Sequence, residues 1–374
     1  MEASSKFIAR TALAGWLGEL SARFRVWAPR REGRAVLYRP FDPQAPEDNL
    51  PELDKKPTES AKHIIFPRSE PLINFRRKRD PEHPGQFLLD LRVPEAPGPS
   101  LIFGLPPCDA RGFMVFDPVY NGSGTDGQAR DIYYLRRRAA ALLIVRSCSR
   151  TLSTCFCNWV GGAPDSAEGA DILASEAEDG FLLEPVSSEG AAALDSGLLV
   201  PADENRLKAA QAARDEAKKT LKPAPDISGA GKALLERFED AAFWKGEAAH
   251  CLSCGICTFL CPTCYCFNVT DETAGANGVR LRSWDACMTP LFTLEASGHN
   301  PRQDKAARLK NRIGHKFSYY PELHEARFAC VGCGRCIKSC PSGVDIRRIV
   351  TDSVGLTQSP KPKAAPRNIP GGKE

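Results

Sequence analysis

With 374 residues, 42% of them apolar, 26% charged and a formal net charge of +4, the chain has the make-up of an ordinary globular protein. That length exceeds what one hydrophobic core usually organises, so two or three domains are expected. A balance this close to neutral gives no argument for nucleic acid or a membrane surface as partner, and the longest apolar run, residues 139–145, is far too short to span a bilayer.

The chain opens on a helical pattern in which Phe7, Leu13, Trp16, Leu17 and Leu20 share a face, followed by a short strand over residues 24–27 that Pro29 ends. No apolar core followed by a small-residue cleavage site comes after Met1, so nothing signals secretion and a cytoplasmic location is expected. Residues 40–60 and 76–84, rich in proline and charge, read as surface loops. Two apolar runs, residues 101–105 and 141–145, have the length of neighbouring buried strands with a helix-compatible segment between them. Within that segment the stretch 121–127, NGSGTDG, matches neither phosphate-binding pattern and reads as a turn.

Beyond Pro201 the composition shifts to Ala, Lys, Glu and Arg, and residues 203–221 form an amphipathic connector helix with a thin face of Leu207, Ala210 and Ala213. Prolines and glycines in 222–231 break it, and a second helix placing Leu234, Phe238 and Ala241 on one face leads into His250 and Cys251. Residues 356–374 have almost no large apolar side chains and read as a disordered tail. The fold class expected is α+β multidomain: an α/β domain over 1–200, a helical connector over 201–240, and a mainly helical ferredoxin-type domain over 241–355.

Fifteen cysteines in a chain expected to meet a reducing compartment are read as metal ligands or redox groups, not disulfides. Cys251, Cys254, Cys257 and Cys261 follow C-x2-C-x2-C-x3-C with Pro262 next, and Cys330, Cys333, Cys336 and Cys340 repeat the pattern with Pro341 next. Such spacing lets three thiolates on one tight loop reach three irons of a 4Fe-4S cubane, while the fourth ligates the other cluster. One cluster is then assigned to Cys251, Cys254, Cys257 and Cys340, the second to Cys330, Cys333, Cys336 and Cys261. Zinc is the bland alternative, but its structural sites use two separated cysteine pairs for one ion.

Two anionic cubanes side by side require positive charge nearby, which the insertion supplies. Asn300 and Pro301 look like a helix cap and first position, and the helix beyond carries Lys305, Arg308, Lys310, Arg312 and Lys316; a solvated basic face explains any single one of them as well. Gly255 and Gly334 inside the cysteine loops allow close backbone approach to a cluster or serve ordinary turns. Cys264, Cys266 and Cys287 do not complete another four-cysteine site and read as structural.

The expected strands each deliver a cysteine just past their carboxyl end, Cys108 and Cys148, where open α/β sheets collect ligands. With Cys155 and Cys157 from the next loop, a third cluster is the hypothesis, and isolated buried thiols are its equal rival on spacing alone. Asp109 and Arg111 beside Cys108 suit either a flavin or partner contact or a local ion pair.

The succession FGLPPCDARGF, RSCSRTLSTCFC, CLSCGICTFLCPTCYCF, RSWDAC, HNPR, GHKF and CVGCGRCIKSCPSGVDI resembles the β subunits of sulfhydrogenases and the corresponding iron-sulfur subunits of anaerobic sulfite reductases, over nearly the whole chain. The resemblance implies an anaerobic, non-catalytic iron-sulfur protein that relays electrons within a complex. On one side would stand a flavin-bearing, NAD(P)H-oxidising subunit, on the other a catalytic one of hydrogenase, sulfite reductase or heterodisulfide reductase type. The resemblance also implies that FAD sits on the partner, and it maps the family's third cluster onto Cys108, Cys148, Cys155 and Cys157. The alternative from another class is a catalytic iron-sulfur reductase acting directly on a sulfur compound, which calls for an open coordination site or a nucleophile that no motif here announces.

Overall fold

The computed structural model describes residues 5–45, 50–122, 130–325 and 327–356. The stretch 123–127 of the expected turn and the tail beyond Leu356 therefore lie outside the described residues. Twelve strands form two sheets among the described residues: β1 (Lys6–Ala9), β2 (Arg25–Glu32), β3 (Ala35–Pro40), β4 (Ser69–Arg79), β5 (Phe87–Arg92), β6 (Ser100–Leu105), β7 (Ala141–Arg146), β8 (Ile172–Ala177), β9 (Gly180–Pro185), β10 (Val200–Pro201), β11 (Phe267–Ala274) and β12 (Asn277–Trp284).

The larger sheet runs β10-β1-β9-β8-β7-β6-β2-β3. Its centre is parallel, β2 to β6 to β7 to β8, and its edges are antiparallel. Both faces are covered, which is why β6 and β7 read as unbroken apolar runs rather than alternating ones. Leu101, Phe103, Leu142 and Ile144 pack on one side with Trp16 and Leu17, while Ile102, Leu105, Leu143 and Val145 pack on the other with Phe113, Phe116 and Tyr134. Gly104, at φ 72°, makes the bulge that shifts the register between Phe103 and Leu105.

Several expectations are corrected. Phe7 lies on β1, not on the opening helix, which covers Leu13–Leu20. Pro29 does not end β2: by then the strand has left β6 and pairs only with β3, so no ladder hydrogen bond is lost to the missing N–H. Residues 76–79 belong to β4 rather than to a loop; its charged run follows from a sheet with an exposed face. The helix Glu204–Lys219 is no free connector, since it buries Ala210 and Ala217 and its Arg214 pairs with Glu184 of β9 at 2.7 Å. The helix expected after it breaks into Ala230–Glu236 and Ala241–Glu247.

The smaller sheet, β11-β12-β4-β5, joins strands that are far apart in sequence. Buried Arg282 of β12 and Glu70 of β4 form an ion pair that Arg137 and Asp131 extend to the helix Ile132–Ala139, which leads into β7. The β11–β12 hairpin also makes residues 241–355 mixed α/β, where a mainly helical domain was expected.

The insertion helix covers Lys305–Gly314, and its cap is Asp304 rather than Asn300. Asp304 accepts a hydrogen bond from the Ala307 amide at 2.8 Å. Asp304→Ala is expected to cost about 1 kcal/mol in chemical denaturation, the usual loss for an N-cap. Among the described residues no helix is long and apolar enough to cross a membrane.

Candidate iron-sulfur centre

The two cysteine runs fold alike. In each, a glycine with positive φ, Gly255 (74°) and Gly334 (73°), precedes a single helical turn, Ile256–Phe259 and Arg335–Lys338, that presents the third cysteine. Main-chain amides reach sulfur in both: Ser253 N donates to Cys251 Sγ at 3.4 Å and Val344 N to Cys340 Sγ at 3.3 Å. Such donors stabilise negative charge on a ligating thiolate.

Gly334 has a further task. A Cβ there would stand 2.3 Å from Thr154 O, and one on Gly332 would stand 2.5 Å from Cys157 Cα. The second run is thus pressed against the Cys155–Cys157 loop, with Phe156 N donating to Gly332 O at 2.9 Å.

Cys251, Cys254, Cys257 and Cys340 open onto one pocket floored by Met288, Leu309 and Ile349, with Cys336 also on its wall. Cys261 is buried and lies near Cys330, Cys333 and Cys336 of the second run as well as Cys257 of its own. Among the described residues no group of three His, Cys, Asp or Glu side chains is placed to hold a single metal ion. Burial pushes the Cys330 thiol up to about 11. Burial likewise pushes Cys257, Cys333 and Cys336 up, whereas a hydrogen bond with Cys264 holds Cys261 below the usual thiol value.

Positive charge faces these thiols. Lys305 Nζ donates to Cys251 O at 3.2 Å, Arg308 to Ser253 Oγ at 3.0 Å and Arg312 to Cys257 O at 3.2 Å. Lys316 Nζ lies 3.5 Å from Cys261 Sγ and has no carboxylate partner among the described residues. Burial alone would push the Lys316 ammonium down, but Cys261, Cys264 and Cys330 hold it above the usual lysine value. Only Lys310 of the five expected cations turns away, to Phe238 O at 3.1 Å.

Of the four N-terminal cysteines, Cys148, Cys155 and Cys157 lie together, and Lys56 stands between them and Cys108. Cys108 opens the helix Pro107–Tyr120 directly after β6, Cys148 follows the parallel neighbour β7, and the loop carrying Cys155 and Cys157 brings both beside Cys148. Lys56, which no sequence motif singles out, sits at the centre of the group. Its Nζ is 3.5 Å from Cys155 Sγ and 2.8 Å from Cys333 O, and Cys108 also lies near it. Cys108 and Cys333 share one small buried cluster with Val115 and Val331. The three sets of thiols therefore form a continuous series, from Cys251 through Cys261 to Cys108.

Asp109 and Arg111 each form an ion pair with a residue distant in sequence. Arg335 grips Asp109 through NH1 at 2.5 Å and NH2 at 2.9 Å, with both residues buried, and Arg111 Nε pairs with Glu168 at 2.5 Å.

The series reaches the surface at both ends. Cys254 is exposed beside Leu252, itself 66% exposed. Cys148 and Cys155 line a cleft whose rim carries Arg34, Lys55, Arg146, Arg150 and Lys338.

Residues 250–344 match the family of 4Fe-4S dicluster domains. The chain is 31% identical over 258 residues to sulfhydrogenase 2 subunit beta of Pyrococcus furiosus, an alignment covering 68% of this chain and 74% of that relative. No solved structure matches.

Proposed function

Since the chain belongs to the sulfhydrogenase β-subunit family, we propose that it is the electron-transfer subunit of an oxidoreductase complex. It relays electrons between a flavin-bearing NAD(P)H-oxidising partner and a catalytic partner of hydrogenase, sulfite reductase or heterodisulfide reductase type. The observation that carries this reading is the unbroken series of buried thiol sets open at two separate surfaces, near Cys254 and near Cys148. A relay needs two docking ends and a dry path between them; a catalyst needs one substrate pocket.

In this reading Cys251, Cys254, Cys257 and Cys340 hold one 4Fe-4S cluster, Cys330, Cys333, Cys336 and Cys261 a second, and Cys108, Cys148, Cys155 and Cys157 a third. When bound, such clusters accept and return single electrons without bond chemistry. The chain's own residues do the rest. The thiolates fix each position, the amides of Ser253 and Val344 stabilise charge on sulfur, and Arg312, Lys316 and Lys56 supply the positive charge that lets anionic groups stay buried. The basic rim around the Cys148 cleft favours an acidic partner surface.

Lys316→Met removes a buried charge 3.5 Å from Cys261 Sγ. The nearest cluster is expected to become harder to reduce, its midpoint falling by on the order of tens of mV, against about 59 mV for a tenfold one-electron change. Potentiometry followed by electron paramagnetic resonance measures it. The function itself is tested on the oxygen-free, isolated chain. It should be bleached by a low-potential donor and reoxidised by a one-electron acceptor, yet turn over neither sulfite, polysulfide nor NADH alone. Turnover of any of these unaided would replace the relay with a catalyst.

A further inference from the structure

Each thiol set above has a cation, buried or half-buried, that no carboxylate among the described residues neutralises. Arg312 stands behind Cys257, Lys316 beside Cys261 and Lys56 beside Cys155. Lys62 is a fourth of this kind. It is 3% exposed, its Nζ donates to Cys264 O at 2.8 Å and approaches Thr258 O at 3.5 Å, and it lies 4.0 Å from the centre of the Trp284 ring. Carbonyls and a ring satisfy its protons without cancelling its charge, and a buried ion left in that condition is costly.

What surrounds Lys62 is the group of cysteines left over from the twelve. The β11–β12 hairpin pairs Phe267 with Trp284, and Asp285 N donates to Cys266 O at 2.9 Å, so the two ends of the hairpin bring Cys266 and Cys287 together. Cys287 lies within hydrogen-bonding reach of Cys266, and Cys264 lies within reach of Cys261 while also facing Cys287. Three thiols carried by two sequence-distant segments thus share one buried space with an unneutralised ammonium. Lys316 faces both Cys261 and Cys264, and Lys62 adds a second ammonium bonded to the Cys264 carbonyl.

We propose that Cys264, Cys266 and Cys287 hold a further iron-sulfur cluster through three thiolates, with Lys62 as its buried counter-charge. The site adds a branch beside the series at Cys261. Three cysteine ligands leave one iron without a thiolate from this group, which distinguishes it from the fully ligated sets. The inference rests on the reading that this chain carries 4Fe-4S clusters.

The test compares iron, acid-labile sulfide and zinc in the full chain and in Cys264→Ser/Cys266→Ser/Cys287→Ser, both purified without oxygen. The triple variant is expected to lose about four iron and four sulfide per chain while the remaining clusters persist. Lys62→Met leaves every thiol in place; it should reduce the iron held at this site and remove or alter one reduced-cluster resonance. It therefore decides the matter if the triple variant does not fold. Unchanged iron in both variants overturns the proposal, whether alkylation then finds the three cysteines as free thiols or as a disulfide, and so does zinc in place of iron. A wild-type chain lacking iron altogether would sink the relay reading, whereas iron that the variants keep sinks only this site.

Discussion

Replacing Cys155 and Cys157 together by serine is expected to strip about four iron atoms and four labile sulfides from each chain and to leave the clusters of the two C-terminal runs in place. The selectivity follows from the architecture. Both cysteines sit on a loop that packs against the second run through Phe156 N and Gly332 O, but neither thiol belongs to the groups around Cys257 or Cys336. Losing the two thiols leaves Cys108 and Cys148 at the ends of β6 and β7, too few to retain a cubane. Lys56 would then face Cys108 and the Cys333 carbonyl with less negative charge, so the variant should also unfold more easily than the parent. Iron analysis and the reduced-state resonance spectrum read the result directly. Full iron retention would return these four cysteines to the status of buried thiols.

Asp109→Ala should be the most destabilising single substitution outside the cysteines, by about 3–5 kcal/mol, because it leaves Arg335 buried and unpaired. Arg335 is also bonded through Nε to Pro57 O, at 3.1 Å, so it cannot swing to solvent without releasing the segment that positions Lys56. The damage should spread to both neighbouring thiol sets, since Cys108 and Cys333 flank the pair. Asp109→Asn keeps the shape and one acceptor and should fall between the parent and the alanine variant. Urea denaturation of the three proteins, with cluster absorbance followed in parallel, measures both effects.

The C-terminal centre was legible because its chemistry is written in local spacing: two C-x2-C-x2-C-x3-C runs need no knowledge of distant contacts. The N-terminal set was half legible, since the two apolar runs imply neighbouring strands and place Cys108 and Cys148 just past the ends of β6 and β7. Lys56, Lys62 and Arg335 were not legible. Each is a single basic residue whose meaning comes from partners far away in sequence, Cys155 and Cys333 for Lys56, Thr258 and Cys264 for Lys62, Asp109 for Arg335. The small sheet was missed for the same reason: β4 is highly charged, and only its pairing with β12 and the buried bond from Arg282 to Glu70 make it a strand. Asn300 was an attractive cap on local grounds, but it is engaged in a turn with Arg302, and Asp304 starts the helix.

The most direct test is the iron and acid-labile sulfide content of the full chain prepared without oxygen. At least about eight of each per chain, lost on replacing Cys257 and Cys336, is the result predicted from two cubanes across the exchanged cysteines. A colourless protein with intact fold and no iron, or one holding only zinc, would contradict it.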